Sequence, residues 1–324
     1  MTDTLSVDAP DLRVISLGAG VQSTAMLLLA ARGDLGKVDA AIFADTGWEP
    51  KAVYAHLDRL DQEVCGPSGI PLHRVSAGNI RDDALDPDRR FASMPLYIRN
   101  SDGGDGMTRR QCTSEYKLKP LMRKLRELLG APTLEDGRIG RVPRGRWAEQ
   151  LIGISLDESH RALNSKSAGY AQARWPLLDM KLSRSDCVAI NEAAGFRDVA
   201  KSACIGCPFH GNAQWRKIRD ESPHEWADAV AFDHAIRAGS ARANAIGSPL
   251  LGQAYLHRSR VPLDLAPIDR VTRAEHAGAQ IDGLDLLSAD AIGTAWADDG
   301  EPIVGCGPHT CRASILEEVD EWAP

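Results

Sequence analysis

Apolar positions in the first half of the chain fall in short runs separated by stretches of helical spacing. Arg13-Val14-Ile15-Ser16-Leu17 is a strand-like run ending in Gly18-Ala19-Gly20, and an Ala/Leu-rich helical stretch follows from Val21 to Arg32. Asp39 to Ala44 is a second apolar run, closed by Asp45-Thr46-Gly47, and Ala52 to Val64 continues as a helix. Pro71 to Val75 predicts a third strand, Pro120 to Leu129 a basic helix, and Gln150 to Ile154 a fourth strand. Strands that alternate with helices need crossover connections, so the expected fold is α/β, a Rossmann-like, mainly parallel sheet with helices on both faces.

From Ser183 onward the pattern turns helical, with segments predicted over Arg184–Ala194 and Ala213–Glu221. In Ser222-Pro223-His224-Glu225 the serine can cap, the proline suits the first helical position and the glutamate completes a capping box, so a helix is expected to Ala238. Glu135 to Arg146, rich in Gly and Arg, reads as a turn or insertion, and 239–301 shows few clear periods. The expected division is a loose tail over 1–11, a nucleotide-binding domain with the clustered cysteines over 12–210, and a helical C-terminal region with a cysteine-containing tail over 211–324.

With 324 residues, 43% of them hydrophobic, the chain is long enough for a packed core. A net charge of −7 argues against a globally basic nucleic-acid binder. It leaves room for a local basic face, and Arg109, Arg110, Lys117, Lys119, Arg123, Lys124 and Arg126 form a stretch opposed only by Glu115. This stretch is either a solvated helix face or a contact for nucleic-acid phosphates. No secretory leader is legible and no apolar run approaches the roughly 20 residues of a membrane span, so a cytoplasmic location is expected. Seven cysteines in such a chain point to metal binding or redox chemistry rather than to disulfides.

Small residues after the first strand let the backbone approach an anion, and the helix that follows presents the positive end of its dipole. Ser23 and Thr24 add hydroxyl donors. Asp45-Thr46-Gly47 closes the next strand at the same sheet edge, where ligands of open α/β sheets bind. Asp45 there suits a ribose hydroxyl or a magnesium ion, or else caps the next helix. Cys204 and Cys207 form a C-x-x-C pair able to reach one metal centre from a single turn. Cys187 reads as a small buried hydrophobe, and Cys65 has no assigned role.

Gly18 to Ser23 resembles the PP-loop S-G-G-x-D-S of ATP pyrophosphatases, with Gly18, Ala19 and Gln22 where that loop has Ser, Gly and Asp. Ile42 to Gly47 resembles the second-strand D-T-G of sulfonucleotide reductases. Gln111 to Lys117, Gly153 to Arg161, Trp175-Pro176-Leu177 and Lys201 to Phe209 recur in the family's order, so the resemblance to the phosphoadenosine-phosphosulfate (PAPS) reductase-like PP-loop family covers about residues 12–216. It implies an adenine nucleotide alpha hydrolase-like fold and an ATP or related nucleotide held by Ser16, Gly18, Gly20, Gln22, Ser23, Thr24, Asp45, Thr46, Gly47 and Arg161, with Mg2+. It also implies a [4Fe–4S] cluster on Cys112, Cys204 and Cys207, with Cys306 or Cys311 as fourth ligand or one iron left open. Zinc, on four cysteines or three with His210, is the competing metal.

The function implied is adenylation of a substrate, with nucleic acid as a candidate, and pyrophosphate release for sulfur transfer, with Ser23 and Asp45 at the reacting phosphates and a sulfur-donor or reductant protein as partner. The alternative is a sulfonucleotide reductase with Cys306 as nucleophile, since Cys306-Gly307-Pro308-His309 is similar to that family's C-G-L-H tail. A third reading is a non-catalytic iron–sulfur redox sensor.

Overall fold

A computed structural model describes residues 9–101, 103–164, 168–272 and 275. Eight strands are present among them: β1 (Leu12–Leu17), β2 (Ala40–Asp45), β3 (Leu72–Ser76), β4 (Tyr97–Asn100), β5 (Asp105–Met107), β6 (Ala148–Ile152), β7 (Ala171–Arg174) and β8 (Gly252–Tyr255). Five of them form a parallel sheet in the order β3-β2-β1-β6-β7. The expected α/β architecture is therefore present, and the order reverses between β1 and β6.

Period-two alternation explains how both faces are covered. Ile15, Leu17, Ala41 and Phe43 face a cluster completed by α1 (Val21–Ala31), by Leu57 and Leu60 of α2 (Lys51–Leu60) and by the helix Arg184–Ala193. Their neighbours Val14, Ala40 and Ile42 face Leu121, Leu125 and Leu129 on the other side. Leu121 and Leu125 are fully buried, each contributing roughly 1.5–3 kcal/mol of hydrophobic stabilisation. This is the helix Lys119–Leu128, whose exposed face carries the basic residues.

The C-terminal region is not purely helical. β8 pairs antiparallel with β4, which pairs with β5, giving a second, three-stranded sheet. Short strands of four, three and four residues leave little periodicity to read. Their core joins Ile80, Ile98 and Tyr116 with Trp215, Phe232 and Leu256, so it draws on residues before and after 210.

The helix Pro223–Ala235 starts where expected, but its capping box is absent: Ser222 makes no side-chain cap. Glu225 is buried and accepts a hydrogen bond at 2.7 Å from the Lys51 N–H. It caps α2 in place of its own helix, satisfying an orphan N–H that Pro50 and Lys51 have no side chain to meet. Among the described residues, no helix is long and apolar enough to cross a membrane.

Candidate functional site

The site lies at the C-terminal ends of β1, β2 and β6, across the point where the strand order reverses. β1 ends in the glycine loop, and the left-handed position there is taken by Ala19 (φ 55°) rather than by a glycine. Non-glycine residues held in this region cost about 1–2 kcal/mol. Gly20, the N-cap of α1, has an ordinary φ of −103°, so its role is proximity. A Cβ on it would stand 3.7 Å from the Ser202 Cβ, two residues before Cys204. Gly153, after β6, comes closer still, since a Cβ there would lie 3.1 Å from the Ser23 nitrogen.

Ser23 folds the loop on itself. Its hydroxyl oxygen accepts from the Gly18 and Gly20 N–H groups, each at 3.2 Å, and donates to the Gly20 carbonyl. A hydroxyl oxygen thus occupies the place where an anion's oxygen would meet those amides. Gln22 is buried against the end of β6: its amide nitrogen donates to Glu158 at 3.1 Å and its oxygen accepts from Arg184 at 2.9 Å. Glu158 is also ion-paired with Arg161, and burial raises its pKa above the ordinary value. The Gln22–Glu158–Arg161 network ties Arg161 to the first turn of α1.

Two of the implied nucleotide contacts have partners in the interior. Thr24 is fully buried and hydrogen-bonds His56 Nε2 at 2.9 Å, so it faces the core under α1. Ser16 is buried within the sheet and accepts from Gln150 at 2.7 Å. Both hydroxyls serve the interior because their positions in α1 and β1 point away from the loop mouth.

At the end of β2, Asp45 accepts from the Gly47 N–H at 2.7 Å and from Tyr54 at 2.8 Å. It fastens the turn and caps no helix. Gly47 is required twice, by its φ of 74° and by a virtual Cβ only 2.8 Å from the Asn79 Cα. Thr46 then links the loop to the cysteines: its hydroxyl lies 3.2 Å from the Cys204 sulfur and donates to Glu49 at 3.2 Å.

Cys112, Cys204 and Cys207 line one cleft with Thr46, Met94, Arg110, Lys117 and Phe209. None of the five described cysteines is in a disulfide. The Cys204–Cys207 segment is a turn, with the Cys207 N–H donating to the Cys204 carbonyl at 3.0 Å. His210 points its Nε2 at the same carbonyl, 2.9 Å away, and so braces the turn. Burial pushes the Cys204 thiol well above its ordinary pKa, reinforced by Glu49 and opposed by Lys117.

Three soft sulfur donors around one cleft are the donor set for an iron–sulfur cluster or zinc. No three described His, Cys, Asp or Glu side chains converge tightly enough to grip a single ion. The free space in the cleft is about 20 Å³, close to one water's worth, so the lining side chains must part for any larger group.

No family model, no curated protein and no solved structure matches the chain. Its chemistry is therefore read from its own residues.

Sequence reasoning missed Glu49, which has no exposed side-chain surface and pairs with the buried Lys117 at 3.1 Å. Lys117 is thus not a surface phosphate contact. Most of the basic stretch is likewise engaged: Lys119 with Glu115, Arg123 and Lys124 with Glu127, and Arg126 with the Ile139 carbonyl. Arg110 packs over the Phe209 ring at 4.7 Å, and Arg109 is exposed. Trp48 was also missed; the outer edge of its six-membered ring packs against Gly206. Cys65 and Cys187 are buried thiols raised to about 11 and about 12 by desolvation, as inert hydrophobes should be. Cys306, Cys311 and His309 lie outside the described residues.

Proposed function

We propose that the chain is an adenine-nucleotide-dependent iron–sulfur enzyme of the PP-loop, PAPS reductase-like class, with an adenine nucleotide alpha hydrolase-like form of the α/β fold. The reading rests on one observation above all: the ends of β1 and β2 both reach the cysteine segment, with Gly20 leaving room only for Ser202 and the Thr46 hydroxyl 3.2 Å from the Cys204 sulfur. A phosphate on the loop is thereby within a few side chains of three thiols. Nothing in a structural glycine turn requires that neighbourhood.

ATP sits with its pyrophosphate over the start of α1, where the loop amides and the helix dipole offset negative charge. A substrate oxygen attacks the α-phosphorus, the bond to the β-phosphate oxygen breaks, and pyrophosphate leaves with that electron pair. Catalysis is positioning and charge neutralisation, with Ser23 exchanging its amide partners for phosphate oxygens and Asp45 facing the ribose or Mg2+. Cys112, Cys204 and Cys207 would hold a [4Fe–4S] cluster, which when bound supplies a site for sulfur delivery to the activated centre. Lys117 and Glu49 keep charge balanced beside those thiols.

The test uses the full chain purified without oxygen, with iron and acid-labile sulfide determined. It is incubated with ATP, and separately with adenylyl sulfate or its 3′-phosphorylated form plus a reductant. Iron with pyrophosphate release is expected. Sulfite instead moves the protein to the reductase class, and iron with neither product leaves the redox-sensor reading.

A further inference from the structure

A second cleft lies at the other end of the parallel sheet. Arg126, Arg141, Arg144 and Arg146 line it with Val142, Pro143, Gly145, Gly169 and Tyr170, around a volume of about 330 Å³. Arg146 leads directly into β6 and Tyr170 into β7, so the cleft sits at the N-terminal edge of those strands. The glycine loop is at the C-terminal edge, one strand length away, roughly 16 Å at about 3.3 Å per residue. One nucleotide's phosphates cannot serve both.

The clustering of charge there sets the cleft apart. Several exposed arginines elsewhere pair with carboxylates, as Arg59 does with Glu63, Arg74 with Asp58, Arg89 with Asp83 and Arg138 with Asp136. Arg141 and Arg144 are exposed and form no ion pair with any described residue. Arg146 shares Asp11 at 3.1 Å from behind, and Arg126 is held by carbonyl oxygens. No carboxylate is among the residues lining the cleft, although the whole chain carries −7. The loop Arg141-Val142-Pro143-Arg144-Gly145-Arg146 turns through Gly145 at φ 85°, which presents three guanidinium groups within six residues.

We infer that this four-arginine cleft is a binding site for the phosphodiester backbone of a nucleic acid. Guanidinium forks match phosphate oxygens in pairs, and four of them suit several phosphates in series rather than one small anion. Tyr170, half-buried at the floor with Val142 and Pro143, offers an aromatic and apolar surface for a base. An acidic peptide would gain nothing from that surface. The inference stands apart from the reading of the glycine loop, and it shares only Arg126 with the Arg109–Arg126 stretch.

The experiment measures binding of labelled single-stranded RNA, single-stranded DNA and duplex DNA to the full chain by fluorescence anisotropy over a range of salt. The wild type is compared with Arg141→Ala/Arg144→Ala and with Arg89→Ala/Arg90→Ala, which changes net charge equally at another exposed site. For a single strand, losing two contacts lowers the slope of log K against log salt by about 1.4, at about 0.7 per contact, or roughly 25-fold in affinity at about 0.1 M salt. The Arg141→Ala/Arg144→Ala double should melt as the wild type does, since both side chains are exposed, whereas Arg89→Ala also releases the buried Asp83 and serves as the charge control alone. Equal losses in both doubles, no binding to any of the three nucleic acids, or polyglutamate binding as tightly as the oligonucleotides would each overturn the inference.

Discussion

The contact between Gly206 and Trp48 is the sharpest structural commitment in the cysteine turn. A Cβ on Gly206 would lie 2.1 Å from Trp48 Cη2 and 2.5 Å from Cζ3. Carbon atoms rest at about 3.5–4.0 Å, so in Gly206→Ala the indole must withdraw by more than 1 Å or so. It has nowhere easy to go. Phe232 packs on it with ring centroids 4.7 Å apart, and its Nε1–H donates to Asp228 at 2.6 Å. Overpacking costs about 1–3 kcal/mol and a lost hydrogen bond to a charged group about 1.5–3, so a destabilisation near 4 kcal/mol is expected. That is a large share of the roughly 5–15 kcal/mol that holds a domain together. Because the Ile205 N–H donates to the Trp48 carbonyl at 2.8 Å, the displacement also shifts the turn between Cys204 and Cys207. Urea unfolding followed by tryptophan fluorescence measures the first effect, and iron retention after anaerobic reconstitution measures the second. Trp48→Phe, which lacks the clashing ring atoms, should restore much of the stability in the double variant. A Gly206→Ala protein within about 1 kcal/mol of wild type would show that the ring is not pinned and refute the reasoning.

Removing the Ser23 hydroxyl in Ser23→Ala leaves two loop amides without their acceptor; a loss of about 1–3 kcal/mol is expected by urea unfolding, and no loss would mean that water already serves those amides. Lys117→Met should cost about 3–5 kcal/mol, because Glu49 is left charged and fully buried, and adding Glu49→Gln should recover part of it; equal stability of the two variants would exclude a charged pair. His56 and His257 are held neutral by burial, each lowered from 6.5 to about 4. The unfolded chain then takes up protons first as pH falls, so their contribution is complete above the unfolded value and is lost between about pH 6.5 and 4, up to about 3 kcal/mol each. Unfolding free energies at pH 7 and about pH 4.5 should therefore differ less in His56→Gln/His257→Gln than in wild type, and an identical pH dependence would count against the burial argument.

The parallel sheet was legible because its strands obey simple physics. Val14 to Leu17, Ser16 apart, and Ala40 to Ala44 are apolar on both faces, as strands between two helix layers must be, and glycines or Asp-Thr-Gly mark their ends. The antiparallel sheet was not legible, since Tyr97–Asn100, Asp105–Met107 and Gly252–Tyr255 are too short for a period to emerge and their partners are distant in sequence. Within the site, Cys204 and Cys207 could be paired from their spacing, and Cys112 joined them only through the family resemblance. Glu49 and Lys117 could not, because ionic residues are rarely buried and only the tertiary fold shows that these two are 3.1 Å apart. The capping box at Ser222 failed for a related reason: Glu225 had a better partner on another helix. Local rules rank local partners and are blind to the rest.

What joins the loop to the cysteines is a set of small or short residues that let three segments approach closely. Gly20 leaves space for Ser202, Gly206 admits Trp48, Gly47 admits Asn79, and Thr46 is short enough to reach both Glu49 and Cys204. Trp48 and Thr46 belong to the same turn after β2, so that turn touches the cysteine segment at two points, while Asp45 anchors it through Gly47 and Tyr54. Any ligand that moves Asp45 must therefore move Thr46 and Trp48, and with them the backbone between Cys204 and Cys207. A rigid coupling of this kind would make any ligand on Asp45 and the thiol geometry interdependent, so under the proposed function adenine nucleotide should alter the rate at which Cys204 and Cys207 react with a thiol reagent. An unchanged rate at saturating nucleotide would mean that the turn gives way between Asp45 and Thr46, and that the two halves of the site act separately.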